Sequence, residues 1–502
     1  MNWRNGSLKS YLKWVMPGVQ AVVTAVLLFM LASSKLLPGK YLGIVVAAAL
    51  VMLGITCLLA RSKKSAVSSA ASIVAIFMSG MLVFGIIYVR HIVGTLEKIA
   101  SSGTQIENMV VAVLDSNAAQ EIEDTSGYLF GVYEGADKEK LDTVTAEVTE
   151  ANGDAELKKQ SFGSPVEMAQ ELLEGNVDAV ICNKAYIDLL DDAIADYSSL
   201  TRIIYEKKFE TEIGEKAADA AGSGEGDGSG ESKKSDRKGA RQPGVKVTEQ
   251  AFNILISGID VSGPISTTSR SDVNIIMTVN PLERRILLTT TPRDYFVYIP
   301  GISGEERDKL THAGVYGVRT SMRTLEELYD VGIGDYIRIN FDSLIQLVDA
   351  LGGVDVNSEV AFSAGEYNFH EGMNHMNGEE ALAFSRSRYQ FGSGDNQRGK
   401  NQMQVLTAIL DKLQSPELLK NPSEVLDVVG RSMQTSFTSD EIAEVIAWQL
   451  DSGHGWDIGR QAVTGTGDSQ QTFSMKGTDL YVMWPDEESV EAASEKMKEM
   501  LE

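Results

Sequence analysis

The sequence contains few of the residues from which disulfide frameworks and zinc sites are built. Two cysteines and five histidines occur in 502 residues, with no closely spaced cysteine pair and no His-Glu-x-x-His pattern. Cys57 and Cys182 lie in separate apolar runs, so we expect two small buried side chains rather than a disulfide. The sequence therefore gives no support for a zinc site. It also lacks the glycine-rich loop that binds nucleotide phosphates, so it gives no support for nucleotide chemistry.

Positive charge is also scarce over the chain as a whole. Lysine and arginine number 45 against 70 acidic residues, which gives a formal net charge of −25. This balance argues against nucleic acid as a partner, and an acidic surface would be repelled by anionic lipid. Any membrane anchoring must therefore come from apolar segments. The length is too great for a single core and predicts two or more domains.

Three apolar stretches open the chain, at about residues 15–34, 41–60 and 66–89. Each has about 18 or more residues almost without charge, enough to cross a bilayer core of about 30 Å. A signal peptide would supply one shorter segment with a cleavage site. We therefore predict three transmembrane helices within residues 15–92.

The basic residues around these stretches predict the orientation. Two groups would be cytoplasmic if the N-terminus is inside: Arg4, Lys9 and Lys13, and Arg61, Lys63 and Lys64. Residues 1–14 are then a cytoplasmic tail. Three spans place the large C-terminal region outside the cell. We therefore expect a multi-pass protein of the cell membrane, in an envelope of the Gram-positive type.

Beyond the membrane segments the pattern predicts two α/β units. Short β-rich runs alternate with helical ones over residues 105–212, which indicates a small extracellular accessory domain. Residues 213–247 have almost no apolar content and predict a flexible linker or loop. Residues 248–502 predict a larger α/β catalytic domain with a central sheet flanked by helices and a C-terminal helical tail. One of these helices is predicted over about residues 313–330.

Arginines and aspartates recur together in this second unit despite the acidic balance. They occur in SRSD (269–272), PRD (292–294), RSR (386–388) and QR (397–398). The planar guanidinium fork suits phosphate oxygens, and neighbouring carboxylates suit a hard divalent cation. A pyrophosphate satisfies both. The alternative for any one of these arginines is an ordinary surface ion pair.

Residues 252 to about 413, with the tail to 502, resemble the LytR-CpsA-Psr family of cell-wall ligases. The stretches that carry the resemblance are NILISGID (253–260), SRSD (269–272), TPRD (291–294), KLTHAGVYG (309–317), RTLE (323–326), FDSLIQLVDALGGVD (341–355), MNGEEALAFSRSR (376–388) and QRGKNQ (397–402). Three spans and an extra outer domain are similar to the capsule-associated branch of that family.

The resemblance implies a phosphotransferase. Such an enzyme moves a glycan from a polyprenyl-pyrophosphate carrier to a peptidoglycan hydroxyl, forming a phosphodiester of capsule or another secondary wall polymer. Capsule-assembly proteins are then potential partners. Two alternatives stay open: a non-catalytic membrane regulator that senses lipid-linked precursors, and a pyrophosphatase that hydrolyses the carrier.

The resemblance also implies roles for single residues. Asp260 and Asp272 would hold Mg²⁺ or Mn²⁺, with Asp272, Arg293 and Arg270 as catalytic residues. The pyrophosphate would be bound by Arg293, Arg323, Arg386, Arg388, Arg398 and Gln402, with Lys309 as a weaker candidate. Two departures from the family pattern are Asn401, where many members have arginine, and Arg323, where many have lysine. His312 is interpreted as a polar core residue.

The isoprenoid chain of the substrate needs an apolar site. An apolar stripe at helical spacing includes Phe341, Leu344, Ile345 and Val348. Ordinary core packing explains such a stripe by default. The functional hypothesis is that this helix and residues 402–413 form the wall of a lipid tunnel.

Overall fold

A computed structural model describes residues 3–62, 64–100, 103–153, 156–213, 237–259, 264–388, 395–414 and 422–502. Its first elements are the long helices α1 (Trp3–Ser33), α2 (Gly39–Ala60) and α3 (Ser65–Ala100). Three segments within them are long and apolar enough to cross a membrane: Trp14–Ser33, Gly39–Ala60 and Ala66–Ala100. The predicted apolar helices are thus confirmed, and the third is longer than expected.

The accessory unit is a five-stranded mixed sheet with helices. Its sheet has the order β3-β2-β4-β1-β5, in which β2 runs parallel to β3 and β4 while β1 runs antiparallel to β4 and β5. The strands are β1 (Thr104–Leu114), β2 (Leu129–Tyr133), β3 (Lys158–Phe162), β4 (Ala179–Asn183) and β5 (Thr201–Glu212). The helices are α4 (Lys138–Asn152), α5 (Pro165–Leu173), α6 (Ala185–Ala193) and α7 (Tyr197–Leu200), with a 3-10 turn at Ile122–Thr125.

The predicted linker or loop has a defined structure at its C-terminal end. Residues 214–236 lie outside the described residues, but the segment from 237 to 247 is packed against the larger domain. Arg241 forms ion pairs with Asp335 and Glu441, and Val247 is buried. Of the two predicted alternatives, a flexible linker or a loop, residues 237–247 are a loop, and ion pairs of Arg241 hold it against the larger domain.

The larger domain is built on a six-stranded sheet in the order β16-β11-β6-β7-β8-β17. The strands β6 and β11 are parallel, as are β8 and β17, and the other neighbours are antiparallel. Their bounds are β6 (Phe252–Ile259), β7 (Ser271–Asn280), β8 (Arg285–Thr290), β11 (Asp335–Asn340), β16 (Met433–Thr435) and β17 (Asp457–Ala462). The mixed α/β class predicted from the sequence is confirmed.

Four two-stranded sheets and a set of helices surround this sheet. The small strands are β9 (Phe296–Tyr298), β10 (Arg307–Lys309), β12 (Val354–Ser358), β13 (Phe362–Ala364), β14 (Tyr367–Phe369), β15 (Gly372–Met376), β18 (Gly465–Gln470) and β19 (Leu480–Pro485). The helices are α8 (Val318–Tyr329), α9 (Phe341–Ala350), α10 (Gly378–Arg386), α11 (Asp395–Gln414), α12 (Pro422–Ser432), α13 (Ser439–Ser452) and α14 (Glu487–Met500).

The helix that the sequence predicts over 313–330 is divided in the structure. Residues Leu310–Tyr316 form a 3-10 helix, and α8 begins after Gly317. Gly317 has a φ of 105°, a left-handed conformation that interrupts a regular helix and favours glycine. The break turns the 3-10 helix toward the end of the central sheet where the arginines gather.

The membrane helices pack directly on the larger domain. Thr95 on α3 donates a hydrogen bond to Asp427 on α12 over 3.0 Å, and Leu96 and Ile99 are buried in a shared apolar cluster. At the α1–α2 junction, Lys35 and Lys40 form ion pairs with Asp440 and Asp451 on α13, at 2.7 and 3.0 Å. The junction and the end of α3 therefore contact the same side of the domain.

Candidate functional site

The antiparallel pairing of β7 and β8 brings the SRSD and TPRD motifs together. Ile275 pairs with Thr290 in this register. Asp272 precedes Ile275 at the start of β7, and Arg293 follows Thr290 beyond the end of β8, so both lie at one end of the sheet. Arg293 Nη1 donates to Asp272 Oδ1 over 3.0 Å and to Oδ2 over 2.9 Å.

The 3-10 helix closes over the same end of the sheet. Thr311 Oγ1 donates to Asp272 Oδ1 over 2.9 Å, and the backbone amide of Thr311 donates to the carbonyl of Arg293 over 2.9 Å. Asp272 is 9% exposed. Burial alone would raise the pKa of its carboxyl group, but the charges of Arg293, Arg270 and Arg398 outweigh it and lower the pKa to about 2. Asp272 is therefore ionised at neutral pH.

A second buried carboxylate is that of Asp294, which the sequence analysis included in the PRD motif without assigning it a separate role. Its Oδ1 is 3.2 Å from Lys309 Nζ, and its Oδ2 is 3.8 Å from Arg293 Nε and 3.8 Å from Arg388 Nη2. Asp294 is 1% exposed. Burial opposes its ionisation, but Lys309 and Arg293 outweigh that effect and the net pKa is lowered. The signal was present, because Asp294 ends the TPRD motif.

Helix α11 supplies the other wall of a cleft at this point. The residues that line the cleft are Asp272, Thr290, Thr291, Pro292, Arg293, Arg398, Gly399, Gln402, Ala462 and Val463. A methyl group at Gly399 would lie 3.0 Å from Thr290 Oγ1, so a glycine here lets α11 approach β8 closely. That approach places Arg398 and Gln402 opposite Arg293. The contribution of the C-terminal tail through Ala462 and Val463 was not predicted.

The structure brings most of the predicted phosphate-binding residues together, but not all. Arg270 and Arg398 act electrostatically on Asp272, and Lys309 and Arg388 on Asp294. Arg323 is half-buried on α8, and Arg386 is exposed at the end of α10, with its Cζ 4.3 Å from the ring centroid of Phe341. Neither lines the cleft formed by the described residues. For these two arginines a role in phosphate binding stays a prediction.

Two polar residues near the cleft have structural partners. Asn401 is buried, donates from Nδ2 to the carbonyl of Phe384 over 3.1 Å and accepts from Gln397 Nε2 over 3.1 Å. It thus ties α11 to α10, a use that differs from that of a phosphate-binding arginine. His312 is fully buried, with Nδ1 2.6 Å from Asp308 Oδ1, in agreement with its interpretation as a core residue.

Only one of the two predicted metal ligands lies among the described residues. Asp260 lies outside the described residues, and within the described part of the chain no group of three or more potential ligands is found. Asp272 fits a hard divalent cation, because it is an ionised oxygen ligand at the cleft. Its two oxygens accept hydrogen bonds from Arg293 and Thr311, so a cation would share this carboxylate with them.

The predicted lipid-binding stripe lies on α9, and its residues differ in the extent of their burial. Val348 is fully buried and packs in an apolar core with Phe384, Val405 and Ile409. Phe341, Leu344 and Ile345 are half-buried. Val348 thus forms the buried part of the stripe, and the other three residues form its accessible part. Whether they contact lipid stays a prediction.

Comparisons with known proteins identify the family of this chain. The model of the LytR_cpsA_psr family matches residues 221–499. A protein of Oceanobacillus iheyensis, named polyisoprenyl-teichoic acid–peptidoglycan teichoic acid transferase TagU, is 36% identical over 205 residues, which cover 39% of this chain and 62% of the relative. A protein of the same name from Enterococcus faecalis is 34% identical over 234 residues, covering 46% and 76%.

Solved structures also match. The crystal structure of B. subtilis TagU is 30% identical, with a TM-score of 0.40, and the match covers 50% of this chain and 97% of that one. The present chain spans less than two thirds of the length of the O. iheyensis relative and about three quarters of the E. faecalis one.

Proposed function

This chain belongs to the LytR-CpsA-Psr family, and from that membership we propose that it is a membrane-anchored glycopolymer–peptidoglycan phosphotransferase. Its substrate is a glycan carried on a polyprenyl pyrophosphate, and its acceptor is a peptidoglycan hydroxyl. The observation that carries the proposal is the set of cationic side chains around two buried carboxylates, Asp272 and Asp294, of which Asp272 lines the cleft. These cationic residues are Arg270, Arg293, Lys309, Arg388 and Arg398.

The chemistry of this transfer matches such a cluster. The acceptor oxygen attacks the phosphorus atom that bears the glycan, the phosphoanhydride bond breaks, and polyprenyl phosphate leaves with the bridging oxygen. The hydroxyl proton passes to a base. Negative charge accumulates on the phosphate oxygens, and positioned guanidinium groups stabilise it. We assign this role to Arg293 and Arg398, which both line the cleft.

Asp272 could serve either as the general base or as an anionic partner of Arg293 and a cation, and its lowered pKa supports the second role. A carboxyl group with a pKa of about 2 is a weak proton acceptor at neutral pH. Asp272 therefore acts by orienting Arg293 and by binding a cation, rather than as the base that accepts the hydroxyl proton. Mg²⁺ or Mn²⁺ held by Asp272, with Asp260 as the second predicted ligand, would neutralise charge on the pyrophosphate.

The position of the membrane helices supports a substrate that is itself in the membrane. The α1–α2 junction and the end of α3 both contact the catalytic domain through Lys35, Lys40 and Thr95. The basic residues predicted to be cytoplasmic lie at the opposite ends of these helices, so the catalytic domain is extracellular in this proposal. Capsule is the proposed polymer and capsule-assembly proteins are proposed partners, on the ground of the three spans and the accessory domain.

The decisive experiment supplies the full chain in lipid nanodiscs with a polyprenyl-pyrophosphate-linked oligosaccharide and peptidoglycan. We expect covalent transfer of the oligosaccharide and release of polyprenyl phosphate, both detected by mass spectrometry. Hydrolysis to water without transfer would favour the pyrophosphatase, and binding without turnover would favour the regulator. Either outcome would overturn the proposed transfer.

A further inference from the structure

A charged contact joins the accessory domain to the catalytic site. Asp192, in α6, accepts a hydrogen bond at Oδ2 from Arg270 Nη1 over 2.9 Å, and the Arg270 side chain is 15% exposed. We propose that the accessory domain is a positioning element of the active site, and that Asp192 is the positioning residue that orients Arg270. The proposal rests on the proposed phosphotransfer, because Arg270 acts on Asp272 at the cleft.

The first strand of the accessory domain holds the loop that carries Arg270. The backbone amide of Ile106 donates to the carbonyl of Ser266 over 2.8 Å, and the amide of Thr268 donates to the carbonyl of Ile106 over 2.8 Å. Through these bonds Ile106 forms a parallel bridge with Thr267. The accessory sheet thus extends by one bridge into the catalytic domain, immediately before Arg270.

A buried arginine holds the same loop from another direction. Arg338 is 1% exposed and donates to the carbonyls of Ile265 and Thr267, over 3.2 and 2.8 Å. It also contacts Gln434 Oε1 at 3.4 Å, and Gln434 Nε2 donates to the carbonyl of Thr104 over 2.6 Å. Arg338 and Gln434 therefore connect the loop to the first residue of β1, shortly after the membrane helix α3 ends.

The 3-10 helix confines the other end of the loop. A methyl group at Gly314 would lie 2.5 Å from the carbonyl oxygen of Ser269 and 2.6 Å from the amide nitrogen of Ser271. The backbone on both sides of Arg270 is thus fixed against the catalytic domain. The Arg270 side chain is the flexible part that remains, and its guanidinium is directed by Asp192.

A shared apolar interface fixes the position of the accessory domain relative to the contact between Asp192 and Arg270. Tyr186, on the same helix as Asp192, lies with its hydroxyl 3.3 Å from that of Tyr316 on the 3-10 helix. Val315 and Met475 of the catalytic domain are buried in the core of the accessory domain. Because the interface is apolar and continuous with that core, the position of Asp192 is set by the docking of the whole domain.

A loosened Arg270 retains its charge and still attracts phosphate in the ground state, but it loses the orientation that serves the transition state. Asp192→Asn should therefore lower kcat about fivefold and leave KM within about twofold. Asp192→Glu, which keeps the charge, should recover most of kcat. Glu206→Gln is the matched control, since it removes an exposed carboxylate that pairs with Lys184 in the same domain, and kcat should not change.

A double-mutant cycle tests whether Asp192 acts through Arg270. In the Arg270→Gln background, Asp192→Asn should cause no further loss of kcat. If the two substitutions lowered kcat independently, so that their effects multiplied in the double variant, the proposal would be overturned. An unchanged kcat in Asp192→Asn would also overturn it. NMR with labelled arginine gives a readout that does not need turnover: the Arg270 Nε–Hε group should be more mobile in Asp192→Asn than in Glu206→Gln. Equal mobility would contradict the positioning role even if wild-type transfer fails, whereas failure of transfer with increased mobility would count against the proposed function alone.

Discussion

Arg293 donates from one guanidinium nitrogen to both oxygens of Asp272, at 3.0 and 2.9 Å. The two residues are 21 positions apart and meet because β7 and β8 are antiparallel neighbours whose ends coincide. The pair lies in the cleft with Arg398 and Gln402. This geometry keeps Asp272 ionised and places Arg293 beside the proposed site of phosphate binding.

Substitution of either partner should remove transfer while the fold remains. We expect Asp272→Asn to lower kcat at least 100-fold, because Arg293 and the cation both lose an anionic partner. Arg293→Lys keeps the charge but loses the planar fork, so we expect a loss of about 10- to 100-fold. Circular dichroism and thermal melting of each variant provide the folding control. Wild-type kcat in a folded Asp272→Asn variant would refute the site.

Removal of divalent cations should abolish turnover if the metal prediction is right. After EDTA treatment we expect activity to return with Mg²⁺ or Mn²⁺, because a hard cation matches carboxylate ligands. Asp260→Asn should raise the concentration of Mg²⁺ required for half-maximal activity. Full activity in EDTA would rule out the cation, whatever the result for Asp260.

The close approach at Gly314 predicts a strong effect of a single methyl group. Gly314→Ala would force apart backbone atoms of Ser269 and Ser271 that lie 2.5 and 2.6 Å from the new carbon. We expect the free energy of unfolding to fall by about 1–3 kcal/mol and kcat to fall with it. Gly163→Ala is the control, because nothing lies within 4 Å of the added methyl group. Similar melting temperatures for the two variants would contradict the tight contact.

Substitutions in the accessible part of the α9 stripe should slow the release of a long lipid more than that of a short one. Leu344→Trp or Ile345→Trp should block a tunnel and slow release of a long polyprenyl phosphate, while a short farnesyl analogue is affected less. Val360→Trp, at a position that is 38% exposed, serves as the control for the bulk of tryptophan. If a folded Leu344→Trp variant released the long lipid at the wild-type rate, the tunnel would have to be abandoned.

The ion pairs of Arg241 should contribute strongly to stability. Its partner Asp335 has a side chain only 3% exposed, so Arg241→Ala leaves a buried carboxylate without its partner. We expect a loss of about 3 kcal/mol in the free energy of unfolding, measured by denaturant titration. Lys246→Ala breaks an exposed pair with Glu249 and should change stability by less than about 1 kcal/mol. Equal effects would show that residues 237–247 are not fixed by Arg241.

The same ion pairs predict a dependence on pH. Burial of Glu441 opposes its ionisation, but the hydrogen bonds from Arg241 and Thr438 and the charge of Arg241 together outweigh burial and lower the pKa below its ordinary value of 4.5. A lowered folded-state pKa means that the stabilisation is present above that ordinary value and is lost as the pH falls through the folded-state pKa. The difference in Tm between wild type and Glu441→Gln should therefore be largest near neutral pH and shrink on acidification. A difference that grows at low pH would contradict the assignment.

Local sequence patterns predicted most elements but not their breaks. The strands β6, β7 and β8 and the helix α9 lie where their apolar periodicity indicates, because these runs are long and strongly patterned. The division at Gly317 was missed, because a single residue in a left-handed conformation leaves no periodic signal. The small strands β12 to β15 are too short to show a periodic sequence pattern.

The candidate site shows a similar division. The motifs indicated Asp272, Arg293, Arg398 and Gln402, and these line one cleft. Asp294 was recognised as part of the PRD motif but was given no separate role, because the sequence does not show that Lys309 and Arg388 lie close to it. Asp192 had no signal at all, since its partner Arg270 is 78 residues away in another domain.

The amino-acid sequence alone determined the three apolar helices and the two α/β units, since these follow from local composition and periodicity. Its ordered motifs also predicted a phosphate-binding chemistry. Only the tertiary structure decided which charged groups meet, and that the accessory domain contacts the site through Asp192 and Ile106. The physical reason is that ion pairs and hydrogen bonds act over a few ångströms in space, and the folding of distant segments sets those distances.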